Sequence, residues 1–176
     1  MYKEIIKVPK DRIAVLIGKK GTVRKNLEKL FGVAIKVDSE ECTATLESED
    51  SIKIFEATPA IRCIARGFNP KLATMLRNEN TILEIINIED YVGDSIKAKK
   101  RIKARLIGKE GKARKEIERL TNTHISIYGK TVAILGSYEN VEIAKEGVEE
   151  LLKGAPHVNA FNYIIHRKKN AEQDHN

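Results

Sequence analysis

The sequence Leu16-Ile17-Gly18-Lys19-Lys20-Gly21 decides the fold, because it returns 90 residues later as Leu106-Ile107-Gly108-Lys109-Glu110-Gly111. In each copy an apolar pair precedes two glycines that enclose two charged residues, the first of them a lysine. Glycine adopts positive φ angles easily and has no Cβ, so the backbone of such a loop can approach a ligand closely. A helix that starts just after the loop adds unpaired N–H groups, which favour an anion. We name these four residues, from glycine to glycine, the tetrad, and we expect both tetrads to contact phosphate groups.

The repeat extends well beyond the tetrad. Residues 16–37 align with residues 106–127 without a gap. The matched apolar positions are Val23, Leu27 and Leu30 in the first half and Ala113, Ile117 and Leu120 in the second. Their spacing predicts a helix with one apolar face in each half. Glu28 and Glu118 follow an arginine by one helical turn, so we expect ion pairs along each helix.

The surrounding patterns predict the same order of elements in both halves. A strand and a short helix precede each tetrad, and a helix, two strands and a longer helix follow it. The order is therefore β-α-α-β-β-α, twice, in an α+β protein. Gly154 and Pro156 end the last of these helices. A further helix is expected from about residue 159 to 167, followed by a polar tail.

Positive charge is concentrated around the tetrads. The chain of 176 residues has a net charge of +7. The segment Lys97 to Arg119 holds eleven basic and three acidic residues, a net charge of +8, and Lys7 to Lys29 has +6. Segments this basic fit a polyanionic partner such as nucleic acid. The acidic stretch from Glu40 to Glu56 is expected to be solvated surface or a face for a basic protein.

The sequence disfavours several other classes of protein. The glycines are too close for a mononucleotide P-loop, and a Rossmann loop follows a strand and has a further glycine. A structural corner between two helices is the bland alternative for either tetrad. The sequence contains no carboxylate cluster or cysteine pair at metal-ligand spacing, so we expect no cofactor, no metal site and two buried thiols at Cys42 and Cys63. The chain has no bilayer-length apolar run and no signal-peptide pattern, which predicts a cytoplasmic protein.

The two tetrads, each between short helices in a β-α-α-β-β-α unit, resemble the loops of KH domains of type I. The resemblance implies two three-stranded antiparallel sheets covered by helices, and a tetrad that clamps about four nucleotides of a single strand. It places the first KH domain at residues 1–70, a connecting segment at 71–80, the second KH domain at 81–154, and a C-terminal helix and polar tail at 155–176. In such domains the bases lie in a groove of aliphatic side chains, which suits an aromatic content of 5%.

The second half narrows the resemblance. The segment from Arg105 to Ile127, with Val132 to Ser137 and Gly154 to His157, is similar to the archaeal two-KH rRNA-processing proteins. These are relatives of the eukaryotic partner-of-Nob and Krr assembly factors of the small ribosomal subunit. The resemblance implies a non-enzymatic protein that binds near the 3′ end of small-subunit rRNA. It also implies contacts with a Nob-type endonuclease and with the alpha subunit of translation initiation factor two.

The resemblance implies an RNA surface in each half, with the second half dominant because of its higher charge. In the second half the predicted RNA-binding residues are Arg105, Ile107, Gly108, Lys109, Glu110, Gly111, Lys112, Arg114, Lys115, Ile125 and Ile127. In the first half they are Ile17, Gly18, Lys19, Lys20, Gly21, Lys25 and Ile35. The tetrads and basic side chains are expected to hold phosphates, and the isoleucines to line the base groove. Glu110 is a departure, since many KH loops carry a neutral or basic residue at that position.

Two other hypotheses stay open at this stage. One is a protein-interaction scaffold in the same assembly or translation-initiation context, with one KH groove idle. The other is a nuclease or nucleotide-dependent enzyme, which is disfavoured because no catalytic set of residues is apparent.

Overall fold

Each half of the chain builds its own structural unit in the computed structural model, which describes residues 1–174. The first unit, Met1–Thr81, starts with β1 and ends in a short helix and a 3-10 turn. Its elements are β1 (Tyr2–Lys7), α1 (Lys10–Ile17), α2 (Thr22–Phe31), β2 (Ala34–Asp38), β3 (Thr43–Ser48), α3 (Ser51–Ala65), α4 (Pro70–Ala73) and a 3-10 turn at Thr74–Arg77.

The second unit runs from Ile82 onward and repeats this order. Its elements are β4 (Thr81–Asn87), α5 (Glu89–Val92), α6 (Ile96–Ile107), α7 (Lys112–Thr121), β5 (His124–Tyr128), β6 (Thr131–Ser137), α8 (Tyr138–Leu152) and α9 (His157–Asp174). The predicted β-α-α-β-β-α order is confirmed in both units. The one-turn helix α5 is an addition that the sequence patterns did not indicate.

Both sheets have three antiparallel strands with the last strand in the centre, in the orders β1-β3-β2 and β4-β6-β5. The β2–β3 register pairs Ile35 with Leu46, and the β5–β6 register pairs Ile125 with Ile134. These four side chains are buried. The order leaves β2 and β5 as edge strands, each directly after the helix that follows the tetrad. The predicted α+β fold of two three-stranded sheets is therefore confirmed.

The apolar positions of the repeat form the centre of each unit. Leu16, Leu27 and Ile35 are at most 1% exposed in the first unit. Their counterparts Leu106, Ile117 and Ile125 belong to the buried cluster of the second. Apolar residues at helical spacing thus bury one face of each helix against the sheet. Because Leu16 and Leu106 immediately precede Ile17 and Ile107, this packing fixes the backbone that enters each tetrad.

The last helix is longer than the sequence patterns predict. It begins at His157 and continues through most of the expected polar tail to Asp174, and residues 175–176 lie outside the described part. Ala160 and Ile164 are fully buried one turn apart. A side chain at Gly147 of α8 would overlap Ile164, so this glycine permits the close approach of the two helices. Polar anchors then extend the helix, with Arg167 Nε donating to Glu146 Oε2 at 2.7 Å.

The two thiols have different environments. Cys63 is fully buried in α3, and burial raises the pKa of its thiol to about 12. Cys42 is only half-buried, in the β2–β3 turn with a φ of 53°, so the expectation of burial is wrong for this residue. Within residues 1–174 no helix is both long and apolar enough to cross a membrane.

Candidate nucleic-acid interface

The two tetrads have the same backbone conformation. Gly18 and Gly108 both have φ 73° and ψ 174°, a region that only glycine readily adopts. Lys20 and Glu110 are in the left-handed region at φ 53° and 56°, although neither is glycine. The loop is therefore set by the chain around it, and the acidic side chain of Glu110 does not change it.

The first glycine of each tetrad is also required by close packing. A Cβ at Gly108 would lie 2.7 Å from the backbone nitrogen of Ala113, and one at Gly18 would lie 2.8 Å from that of Val23. The N–H of Gly111 donates to the oxygen of Gly108 at 3.2 Å, which closes the loop into a tight turn. The tetrad is thus a rigid corner whose backbone is exposed on its outer side.

The helix after each tetrad begins without a side-chain cap. Gly21 precedes α2 and Gly111 precedes α7, and neither helix has a side-chain hydrogen bond at its first turn. The first N–H groups of α2 and α7 therefore carry uncompensated partial positive charge, which attracts an anion.

Lysines surround this end of α7. Lys109, Lys112 and Lys115 are exposed. The stem of Lys115 also folds back beside the tetrad, since a Cβ at Gly111 would lie 3.7 Å from its Cε. In the first unit Lys19, Lys20 and Lys25 are exposed in the same way. Each tetrad therefore combines helix N–H groups with mobile cations.

A groove of about 510 Å³ lies between α6 and the β5–β6 turn and reaches Ile107, the residue before the second tetrad. Its apolar lining includes Ile96 and Ile107, which are 81% and 37% exposed. Its charged lining includes Lys99, Lys100, Lys103 and Lys130. Exposed aliphatic surface between lysines suits bases on one side and phosphates on the other.

One carboxylate lies inside this groove. Glu89, from α5, accepts hydrogen bonds from Lys99 Nζ at 2.9 Å and from Lys130 Nζ at 3.2 Å. These two hydrogen bonds hold the pKa of the Glu89 carboxyl below its ordinary value. The carboxylate therefore occupies two of the four groove lysines in the absence of RNA.

Two of the isoleucines predicted for the base groove lie in the cores instead. Ile35 is 1% exposed and Ile125 is 3% exposed. Alternation along an edge strand sends them under the helices, and Ile127, on the same face, is half-buried against the core. Ile107 lines the groove, and Ile17 is half-buried at the matching position of the first unit.

Arg105 has a structural role. Its guanidinium donates to the carbonyl oxygens of Leu151 at 3.3 Å and Ala155 at 2.6 Å, at the end of α8. Arg12 does the same in the first unit, with the oxygens of Ile64 at 2.8 Å and Phe68 at 2.6 Å. Arg105 stabilises the end of α8, so we leave it out of the RNA surface.

The repeated pattern of arginine and glutamate after each tetrad binds the edge strand. Glu118 accepts the N–H of Ile125 at 2.8 Å, and Arg114 donates to the oxygen of the same residue at 3.3 Å. Glu28 accepts the N–H of Ile35 at 2.8 Å in the same way. Of the two expected ion pairs, the one in α7 is present, at 3.5 Å between Arg114 and Glu118, whereas Arg24 of α2 donates to the Ile35 oxygen at 3.5 Å. These side chains satisfy an edge strand that would otherwise present free polar groups.

The structure adds groove residues that the sequence patterns did not indicate. They are Glu89, Ile96, Lys99, Lys100, Lys103 and Lys130. The lysine density of α6 was visible in the sequence and indicated a binding helix. Which of its lysines share one face with the β5–β6 turn depends on how α6 packs on the sheet.

Family models match both units. The KH domain model matches residues 3–66, and the model of the eukaryotic type KH domain, type I, matches residues 82–170. The chain is 46% identical over 164 residues to the KH domain-containing protein MJ0443 of Methanocaldococcus jannaschii, covering 92% of this chain and 72% of that protein. It is 26% identical to the RNA-binding protein pno1 of Dictyostelium discoideum, covering 86% of this chain and 65% of that protein.

A solved structure agrees with these matches along the whole fold. The chain resembles a protein in the crystal structure of the a/eIF2alpha-aDim2p-rRNA complex from Pyrococcus horikoshii OT3, with 42% identity and a TM-score of 0.88. The match covers 96% of this chain and 95% of that one. The chain therefore belongs to the two-KH-domain family of the RNA-binding and pre-rRNA-processing proteins Pno1 and Dim2p.

Proposed function

We propose that this protein binds single-stranded RNA near the 3′ end of small-subunit rRNA, and that the second unit provides the principal binding surface. The observation that carries the proposal is the position of the lysine-lined groove directly beside the second tetrad. Membership of the Pno1 and Dim2p family supports RNA as the polyanion, and the rRNA in the related complex supports its class.

In this proposal, different parts of the surface contact the phosphates and the bases. The tetrad and the first turn of α7 hold the backbone of one or two nucleotides, because their N–H groups and Lys109, Lys112 and Lys115 face the same side. The next bases lie over Ile96 and Ile107 in the groove. Lysines along α6 then contact the following phosphates. Such a surface binds one strand without needing aromatic platforms.

The first unit supports a weaker or different role. Its tetrad has the same backbone, but its first helix has 8 residues where α6 has 12. The positions that match Lys99, Lys100 and Lys103 hold Pro9, Lys10 and Ile13. We therefore propose that Gly18 to Gly21 with Lys19, Lys20 and Lys25 adds less to RNA affinity.

A second candidate function, a scaffold for protein partners, has its own observation. Phe55 and Ile52 on α3 are 79% and 65% exposed, which is unusual for large apolar side chains on one helix. The related complex contains a/eIF2alpha together with rRNA. We propose that the first unit contacts a protein of this assembly, either the initiation-factor alpha subunit or a Nob-type endonuclease.

Changing Lys109 and Glu110 together to Asp tests the RNA function. Charge reversal beside the helix N-terminus repels phosphate, so we expect the Kd for an oligonucleotide of the rRNA 3′ end to rise by roughly two orders of magnitude at low salt. Fluorescence anisotropy measures the Kd, and circular dichroism verifies the fold. Both substituted side chains are exposed, so the unfolding midpoint is expected to stay unchanged.

The matched control changes Lys19 to Asp in the first tetrad, so that both variants lose two units of positive charge. We expect a several-fold rise in Kd. An unchanged affinity in the second-tetrad variant would remove the RNA proposal. Retained RNA binding in that variant but loss of a protein partner on Phe55→Ser would favour the scaffold.

A further inference from the structure

A second cavity, with a lining different from that of the groove, borders the second tetrad itself. It has a volume of about 580 Å³ and lies between α7 and the first turns of α9. Gly108 and Lys109 of the tetrad form one end of it. A strand that leaves the tetrad on this side therefore meets the cavity without a gap.

One wall of the cavity is cationic. Lys112, Lys115 and Arg119 are spaced at three or four residues along α7, which puts them on one face of that helix. All three are exposed. Glu116 also lines the cavity and occupies the guanidinium of Arg119, with bonds of 3.0 Å and 2.6 Å, so Lys112 and Lys115 are the cations left for a ligand. This wall suits a phosphate group.

The other wall is aromatic. His157 and Phe161 lie one turn apart on α9, with ring centroids 6.1 Å apart. His157 Nε2 bonds to the backbone oxygen of Arg105 at 2.8 Å, and Phe161 packs against the core of the unit. Both rings are therefore fixed before any ligand arrives. Planar rings facing a cationic helix suit a nucleotide, because bases stack on aromatic side chains.

The first unit shows what the cavity requires. The equivalent space, between α2 and α4, has a volume of about 150 Å³. Its lining has no aromatic side chain and a single cation, Lys71, with Pro70 and Thr74 beside it. The difference follows from α9, which has 18 residues where α4 has four. The cavity is thus a feature of the second unit.

We propose that this cavity binds one further nucleotide of the RNA strand, just beyond the segment held by the tetrad and the groove. The base stacks on Phe161 with His157 at its edge, because the two rings are tilted 46° to each other, and the phosphate lies beside Lys112 and Lys115. The volume lies within the ~300–1,000 Å³ that small-ligand sites occupy. The inference rests on the proposed RNA function and adds a site that extends it.

The first test compares RNA lengths. A core oligonucleotide that saturates the groove is titrated against wild type, together with versions extended by two nucleotides at either end. We expect an extension at one end to lower the Kd about tenfold, as stacking of one base does. Phe161→Leu keeps apolar volume against the core but removes the ring, so it should abolish this gain and leave the Kd of the core oligonucleotide unchanged.

Two variants make the result specific to the ring. Phe161→Tyr should restore the gain from extension. Tyr163→Leu removes an aromatic side chain from the same helix, one whose hydroxyl bonds to Glu146, and should not affect it. Absence of any gain at either end of the oligonucleotide, or a full gain in Phe161→Leu, overturns the proposal.

A second readout is independent of the groove. The chain has no tryptophan, so Phe161→Trp introduces a single tryptophan, which is excited selectively at wavelengths where tyrosine does not absorb. We expect a dinucleotide to quench it, and to leave Tyr163→Trp unquenched. Quenching with no binding of the core oligonucleotide would contradict the proposed function but keep the cavity site. No quenching of Phe161→Trp by dinucleotide or extended RNA would overturn the cavity site even where core binding is tight.

Discussion

The two units hold the same tetrad in different surroundings. Gly18 and Gly108 have identical backbone angles, and the residues that follow differ little. The neighbouring elements differ much more. The helix before the tetrad has 8 residues in the first unit (α1) and 12 in the second (α6). The helix that follows the KH core has four residues in the first unit (α4) and 18 in the second (α9). The comparison separates the loop, which both units share, from its surroundings, which in the second unit include the groove and the cavity.

We therefore expect RNA affinity to depend on the surroundings of the loop as well as on the loop itself. Each tetrad offers a few N–H groups, with two lysines in the first (Lys19 and Lys20) and one lysine beside Glu110 in the second. The second unit adds groove lysines from α6 and an aromatic wall from α9. Backbone contacts place a strand, whereas the number of phosphates neutralised sets affinity and its salt dependence.

The largest expected effect comes from substituting the first glycine of the tetrad, which both units share. Gly108→Ala puts a Cβ 2.7 Å from the Ala113 nitrogen, at angles that only glycine tolerates, so we expect a cost of about 3 kcal/mol in the second unit. Gly18→Ala should cost the first unit about as much. Urea unfolding followed by hydrogen exchange in each unit measures both costs, since two domains need not unfold together.

Gly111→Ala is the control within the same tetrad. Gly111 has φ 74°, but a Cβ there meets nothing closer than Lys115 Cε at 3.7 Å. Only the left-handed angle is then unfavourable, at about 1 kcal/mol. Equal costs for Gly108→Ala and Gly111→Ala would show that the close packing at Ala113 is unimportant.

The second largest effect is expected from removing the α6 lysines, which distinguish the groove of the second unit from the first unit. Changing Lys99, Lys100 and Lys103 to Gln should weaken RNA binding roughly 10- to 100-fold at low salt. It should reduce the slope of log affinity against log salt by about 2, as expected for three phosphate contacts on a single strand. Titration of the same oligonucleotide at several salt concentrations gives both values.

The matched control removes three exposed lysines from the first unit, at Lys7, Lys10 and Lys29. The total charge lost is identical, so only the position differs. We expect less than half the change in slope. Equal slopes for the two triple variants would mean that general charge, and not the groove, determines affinity.

The smallest effect is expected from removing the carboxylate of Glu89, which lies inside the groove. Glu89→Gln removes the carboxylate that holds Lys99 and Lys130, so both become available to phosphate, and we expect a few-fold lower Kd at low salt. The depressed pKa of Glu89 keeps it ionised at neutral pH, and protonation as the pH falls through that pKa should mimic the substitution. Anisotropy titrations at low and high salt measure the difference, and a weaker affinity in Glu89→Gln would assign the carboxylate to base recognition instead.

Much of the fold could be predicted from particular residues. The glycines of the tetrads, the apolar spacing of Leu27 and Ile117, and the order of strands and helices were all readable, because they depend on neighbours within a few positions. The role of Glu118 could not be predicted from the sequence. Its ion pair with Arg114 is local, but its bond to the Ile125 N–H depends on where the edge strand lies.

Arg12 and Arg105 illustrate the same limit. They cap the ends of α3 and α8 in the same way, yet in the aligned repeat Arg105 matches Val15 and Arg12 matches Ile102. The two arginines lie one helical turn apart in the repeat, so alignment does not pair them. Only the packing of each helix on its neighbour shows that an arginine from either of two successive turns can cap the equivalent helix end.

The sequence by itself determined the two tetrads, the β-α-α-β-β-α order and the excess charge of the second half. These follow from local backbone preferences and from counting charges. The tertiary structure decided which isoleucines are buried, which lysines of α6 share a groove with Lys130, and that Phe161 faces the cationic side of α7. Such contacts join residues far apart in the chain, and their directions are set by how helices and sheets pack.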